Sequence, residues 1–403
     1  MKFLLMPGNN SLSHVAKCLA IREALVDRGH DALVAVSGKS SRFLQKQGID
    51  HCVLPDIQEN DEAGMPTVEW FRDHRGIIDC IKAEVDLLKK YRPDRVLGVF
   101  RFTIKASAKI ADIPYDSLIC GCMIPDSQEV LGFVDGDQGR EAQQIILDGF
   151  YRYAAIKTSM ALASFGLDAV SDVRYMLKGE RTFLWDIPEF FPLPRKPDII
   201  YIGPITWNHW QYDRMDIGAI ADGKLPLAII AFGTCTAHAS AAKRIIQILL
   251  DLGYQVLVAA GGQKEFLNIM PDEPRVIVHT FAPLHKLTPH ASLLICHGGQ
   301  MTVFEALQNK IPVLVMPFQP EQAHSGVCLE RIGCGRRLIP PQLFQGNSGV
   351  YVDALNGMTD DELKAVMTGL VNNSQRTKRL AEIKEALGQY KGAEKLAMML
   401  EAG

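Results

Sequence analysis

Apolar and polar residues follow one another along this chain in two rhythms. Residues 2–6 form a short apolar run and residues 7–13 are rich in turn formers. From residue 14 to 28, Val15, Cys18, Leu19, Leu25 and Val26 recur at helical spacing until Gly29 supplies a stop. Residues 31–36 read as the next strand, so the first forty residues predict a β-α-β unit. Further apolar runs at residues 51–54, 96–100 and 116–120 are separated by helical segments. A second series opens at residues 225–232, turns at Gly233-Thr234 and continues as a helix over residues 242–252. Strands are predicted at 255–259, 275–278, 293–296 and 313–316. Strand and helix alternating in this way predict an α/β fold with two parallel sheets wrapped by helices.

Between the two series, residues 188–212 hold Pro192, Pro194, Pro197 and Pro204 among several aromatics, the composition of an interdomain connector and not of a core element. The tail, residues 360–399, is charged and helical in period, and is expected to fold back over the first domain. The domains expected are residues 1–205, 206–375 and a C-terminal helix at 376–403. Residues 55–80 and 125–190 carry no readable signature.

A length of 403 residues suits two domains of roughly 200 residues each. Hydrophobic content of 47% with 22% charged residues lets each bury a core. A formal net charge of -3 argues against a nucleic-acid partner. Nine scattered cysteines without a CxxC pair suit free thiols in a reducing, cytoplasmic compartment better than disulfides or zinc. The apolar start ends at Pro7-Gly8, too short for a signal peptide, and no stretch approaches the ~18 apolar residues that span a bilayer. A soluble protein is expected, with room for a peripheral membrane contact or a homodimer.

The most informative segment runs from residue 279 to 338. The strand at 293–296 ends in His297-Gly298-Gly299, and a helix opens near Thr302. Glycines at a strand-to-helix turn let main-chain amides approach an anion, and a helix N-terminus adds a favourable field. The turn is therefore a candidate phosphate cradle, with His297 as a further donor. No G-x-G-x-x-G follows the first strand, which argues against an NAD-dependent oxidoreductase.

His297-Gly298-Gly299, Glu305 eight residues after His297, Pro312, and Glu321-Gln322 beyond Pro317 resemble the donor signature of inverting GT-B glycosyltransferases of the UDP-glycosyltransferase superfamily, bacterial natural-product enzymes included. The resemblance covers nearly the whole chain. It implies two Rossmann-like domains facing a central cleft, and transfer of a hexose or deoxyhexose from a UDP- or dTDP-sugar to a hydroxyl of a small or lipid acceptor. No cofactor or metal is implied beyond the nucleotide-sugar donor. By the match, Gly233-Thr234 touch the phosphates, and Phe281 of Phe281-Ala282-Pro283 lies near the base. His297 and Thr302 sit at the diphosphate, Glu305 on the ribose, and Glu321-Gln322 on the donor sugar. In the first half, Ser13-His14-Val15 and Arg28-Gly29-His30 resemble the acceptor-side motifs, which makes His14 the general base. A neutral imidazole with a pKa near ~6.5 suits that role.

Four positions depart from the family pattern. Val99 stands where an Asp usually orients the catalytic His, Ser13 replaces a Gly, and Met301 replaces Gly or Asn. Lys310 replaces a glycine on a helix C-terminal turn. Val99 keeps a second reading open, a non-catalytic sugar-nucleotide-binding partner protein. An epimerase or hydrolase on the same fold would need more sugar-site carboxylates than Glu321.

Overall fold

The computed structural model describes residues 1–8, 11–57, 68–209, 215–220, 223–233, 239–270, 272–371 and 373–403. Thr234 and Trp210 lie outside them. The chain divides into two units. The first holds residues 1–128, 145–209 and 390–403, and the second holds residues 129–144 and 210–389.

The apolar runs of the first unit form β1 (Lys2–Pro7), β2 (Asp31–Val36), β3 (Cys52–Val53), β4 (Arg95–Val99) and β5 (Tyr115–Ile119), joined by β6 (Thr182–Leu184) and β7 (Ile199–Tyr201). They pair, all parallel, in the order β3-β2-β1-β4-β5-β6-β7, with Leu4 opposite both Leu33 and Val96. Phe3 to Met6 and every residue of β5 are buried, as strands covered by helices on both faces require.

The second unit repeats the scheme with β8 (Leu227–Ala231), β9 (Gln255–Ala259), β10 (Val276–His279), β11 (Ala291–Cys296), β12 (Val313–Val315) and β13 (Gly335–Arg337), in the parallel order β10-β9-β8-β11-β12-β13. Each sheet reverses direction of growth at one point, between β1 and β4 and between β8 and β11. In open α/β sheets, ligands bind outside the carboxyl ends of the strands at such a switch point. The loops leaving those four strands carry Gly8, Phe100, Gly233 and His297.

The Pro-rich segment at 188–212 contributes to a core, contrary to its composition. Phe190, Phe191, Ile199, Ile202, Ile205 and Trp207 are buried, and the Trp207 indole donates to Glu23 at 2.7 Å. The prolines hold the backbone extended while the aromatics between them supply apolar surface. In the first unit, the helix Gly392–Glu401 packs on the helix Leu12–Asp27. Arg181 donates to the Met399 carbonyl at 2.8 Å, and Arg28 pairs with Glu401. In the second unit, residues 129–144 are held by an Arg331–Glu129 pair at 2.6 Å, by Arg337 donating to the Gly132 carbonyl at 3.0 Å, and by Phe344 N–H donating to Gln143 at 2.8 Å. The eight described cysteines are free thiols. Among the described residues no helix is long and apolar enough to cross a membrane.

The helix Gln300–Gln308 ends with Lys310 at φ 60°, its N–H on the Leu307 carbonyl and the Ile311 N–H on the Ala306 carbonyl. This is a Schellman ending, which favours glycine at the left-handed position because a β-carbon is strained there. Lys310→Gly is expected to stabilise the protein by ~1 kcal/mol and to raise the melting temperature by about 2–4 °C. An unchanged or lower melting curve would contradict the assignment of strain to Lys310.

Candidate functional site

In the second unit, β11 delivers His297 beside two glycines. A β-carbon on Gly233 (φ 74°) would lie 2.9 Å from the imidazole, and one on Gly299 would collide with its Nε2. Gly298 sits at φ 94°, where a β-carbon would collide with the Gln322 carbonyl. The His297 ring thus occupies space that only glycines leave open. Its Nδ1 donates to the Ala231 carbonyl at 3.3 Å, so in the neutral ring Nε2 carries a lone pair. Burial holds its pKa below the usual histidine value, the Ala231 bond only partly offsetting this.

The following helix starts at Gln300, with Gly299 as its N-cap and no capping side chain. The first turn of a helix has no intrahelical acceptors for its amides, so those of Met301 and Thr302 remain available. Thr302 is half-buried in that turn. One turn on, Glu305 receives the Thr288 hydroxyl and the Asn309 amide on one oxygen, Oε1, each at 3.0 Å. Burial raises its pKa against those two bonds, which lower it. Phe281 is 44% exposed, its ring over Gly262, with Ala282 buried beneath, while Gln263 donates to the Gly233 carbonyl at 3.0 Å.

The helix Pro320–Arg331 brings Glu321 and Gln322 to the same turn. Phe318 N–H donates to Gln322 Oε1 at 3.0 Å, which turns the amide NH₂ outward as a donor. Burial pushes the Glu321 carboxyl up to about 7. Gly233 and Gly299 thus lie against His297, and Gly298, in the same turn, lies against Gln322. Phe281 joins them through Gly262 and Gln263, and Glu305 through the helix Gln300–Gln308.

His14 belongs to the first unit, in the first turn of the helix Leu12–Asp27 capped by Ser11. It is buried at 8% exposure, stacked on Phe100 (5.1 Å between ring centres) and near Trp185 (5.8 Å). Its Nδ1 donates to the Gly8 carbonyl at 3.3 Å, and Gly8 N–H donates to the Val99 carbonyl at 2.7 Å. The position that lacks an orienting Asp thus reaches His14 through main chain. The imidazole does not keep a pKa near 6.5. Burial first, then the Lys17 charge, lowers it to about 3, with the Gly8 bond acting weakly the other way.

Several of these neighbours were not singled out by the sequence. Phe100 is at φ 53°, a strained position at the end of β4. Arg101, 2% exposed, donates to the Pro7 carbonyl (3.2 Å), to Glu84 (2.6 Å) and to Asp56 (3.2 Å), anchoring the loop that holds Gly8. Lys17, Thr288 and Asn309 were likewise unforeseen. The one available signal was a lysine set among apolar residues in HVAKCLAI.

Comparison with known proteins agrees with this architecture. Residues 234–336 match the glycosyltransferase family 28 C-terminal domain. A PGL/p-HBAD biosynthesis rhamnosyltransferase of Mycobacterium bovis is 21% identical over 345 residues, 81% of this chain and 74% of the relative. Among solved structures, the glycosyltransferase of kitacinnamycin superposes with a TM-score of 0.74 at 16% identity, over 100% of this chain and 98% of the other. The spinosyn rhamnosyltransferase complexed with thymidine diphosphate gives 0.70 at 17%, over the whole of both chains. The two parallel sheets and the glycine-framed turn define the GT-B class. The chain is a glycosyltransferase with the GT-B fold, an enzyme whose second unit contains the segment similar to the family 28 C-terminal domain.

The His14 environment sets its titration. With the folded pKa below the unfolded one, the buried neutral ring favours the native state above about pH 6.5, and that contribution declines as pH falls below it. The His14 ring proton signals are expected to stay flat in NMR spectra between about pH 5 and 8. A midpoint near 6.5 would refute the account.

Proposed function

We propose that this enzyme transfers a hexose or deoxyhexose from a UDP- or dTDP-sugar to a hydroxyl of a small acceptor, with inversion at the anomeric carbon. The observation that carries the reading is the turn after β11, where His297 packs on Gly233 and Gly299 beneath an uncapped helix N-terminus. In this reading the amides of Met301 and Thr302, with Gly233, Gly298 and Gly299, receive the diphosphate. Thr234, the other residue expected on the phosphates, lies outside the described residues. Glu305 keeps its Oε2 for the ribose hydroxyls, Phe281 and Ala282 border the base, and Glu321 with the Gln322 NH₂ binds the sugar. The diphosphate of the spinosyn rhamnosyltransferase structure is thymidine diphosphate, which favours a dTDP-linked donor. A cytoplasmic location suits such a donor.

The acceptor oxygen bonds to the anomeric carbon on the face opposite the diphosphate, and its proton passes to His14 Nε2. The bond from the anomeric carbon to the diphosphate oxygen breaks, and the diphosphate leaves with the electron pair. Main-chain dipoles and His297 meet the charge that develops there.

His297 can donate from Nε2 only as imidazolium, since Nδ1 already serves Ala231. A bound diphosphate therefore raises its pKa, the complex takes up a proton, and affinity rises as pH falls through the imidazole range. Calorimetry in two buffers of different ionisation enthalpy is expected to show that uptake for dTDP, to show weaker binding of GDP, and to lose the uptake and at least about tenfold in affinity in His297→Ala. Absence of binding by dTDP and UDP alike would remove the reading. For His14→Ala, transfer is expected to fall by at least about 10²-fold while dTDP affinity is kept. An unchanged transfer rate would take His14 out of the mechanism.

A further inference from the structure

His14 as described is a poor base. Among the described residues no carboxylate supports it, two aromatic faces and the cation of Lys17 surround it, and its Nδ1 rests on a carbonyl. An aliphatic hydroxyl, about as acidic as water at a pKa near ~16, would give up its proton to such an imidazole only with difficulty. A phenol, with a pKa near ~10, is about a million-fold more acidic.

Lys17 lies one turn beyond His14 on the helix Leu12–Asp27 and is only 3% exposed. Its ammonium sits 4.4 Å from the centre of the Trp185 ring, the same ring that lies 5.8 Å from the imidazole. Among the described residues it makes no ion pair and donates no hydrogen bond. The titratable groups facing it are His14 and Cys18 on its own helix, Cys120 after β5 and Asp186 after β6. Asp186 accepts the Gly121 N–H at 2.6 Å and stands outside ion-pair distance of Lys17. Burial, partly countered by Cys120, Cys18 and Asp186, brings the ammonium pKa down to about 8. A largely desolvated ammonium whose described contact is an aromatic face is costly to keep charged, and an anion brought by a ligand relieves that cost.

We propose that Lys17 is a further catalytic residue, holding the acceptor's reacting oxygen as an anion, and that the acceptor is a phenol whose ring lies against Trp185 and Phe100. This rests on the reading of His14 given under Proposed function. The phenolic proton passes to His14 Nε2, and the oxygen is held by the Lys17 ammonium, which stays protonated. The oxygen then forms the bond to the anomeric carbon as the diphosphate leaves with the electron pair. Lys17 does for the nucleophile what a carboxylate on His14 would do for the base: each stabilises one product of the same proton transfer.

The test is optical titration of p-nitrophenol in the presence of excess full-length protein, following the yellow phenolate band. The apparent pKa of the bound phenol is expected to fall by about one unit or more, tenfold in proton affinity. Lys17→Arg is expected to retain the shift and Lys17→Met to lose it, with dTDP binding of both variants intact by calorimetry as the check on folding. The proposal is overturned if p-nitrophenol fails to bind, if its titration is unshifted in the native protein, or if the shift survives in Lys17→Met. If Lys17→Met does not fold, the native protein and Lys17→Arg decide. An unshifted titration in the native protein, or in a Lys17→Arg variant that binds dTDP, counts against Lys17. The donor reading is separate, because a protein that binds no nucleotide and still shifts the phenol refutes the donor assignment alone.

Discussion

A histidine ring packed where two β-carbons would otherwise be organises the second unit. His297 fits because position 233 and position 299 are both glycine, and its Nδ1 bond to Ala231 ties the ring to the end of β8. With the ring fixed, the main chain of Gly298 must take φ 94° and press against the Gln322 carbonyl. That contact sets the start of the helix Pro320–Arg331 against the start of the helix Gln300–Gln308. Two helix N-termini, Glu321 and Gln322 are thereby brought to one turn by packing alone. A methyl group added at any of the three glycines would disturb all of them.

The first unit reaches the same precision by a different force. The end of β1 is held by a buried guanidinium, for which burial opposes the charge and Glu84 and Asp56 more than restore it. Thr103 and Ser107 donate to Glu84 as well, so the carboxylate is fully engaged. Such a network costs desolvation and returns it only through complete hydrogen bonding, and what it gains is geometry. Here the geometry is the Pro7-Gly8 carbonyl pair, with Arg101 on the first and His14 on the second. Phe100, strained at φ 53°, closes the far side of the imidazole.

The longer strands were legible because a buried parallel strand is a run of apolar residues, and β1, β2, β8, β9 and β11 all have one. β6, β7 and β13 escaped, since β6 lies in a stretch without a readable signature, β7 follows the prolines of residues 192–197, and β13 is Gly-Arg-Arg. Gly335 there makes room for the Val313 carbonyl, and Arg337 is neutralised by Glu330 and Asp137. Tertiary partners, not local pattern, make that segment a strand. The glycines and His297 could be read from spacing because a close main-chain approach admits so few residue types. The surroundings of His14 could not, because Gly8, Phe100, Lys17 and Trp185 come from separate stretches and ordinary residue types. The pKa of His14 depends on all of them at once.

The two sheets share one strand order and use their switch points for opposite electrostatic tasks. At the turn after β11, beside the end of β8, the groups offered to the diphosphate are main-chain amides and a histidine kept neutral by burial, so the turn attracts a dianion through dipoles. Outside β1 and β4 the fixed charge is the ammonium of Lys17 beside a histidine that is also neutral. A neutral imidazole in both places follows from the same cause, desolvation, with no carboxylate paired to either ring among the described residues. Each imidazole gains a proton only when a ligand arrives, His297 through the charge of a diphosphate and His14 through the proton of an acidic hydroxyl. Chemistry is thus tied to occupancy, since neither imidazole is charged until its ligand is present.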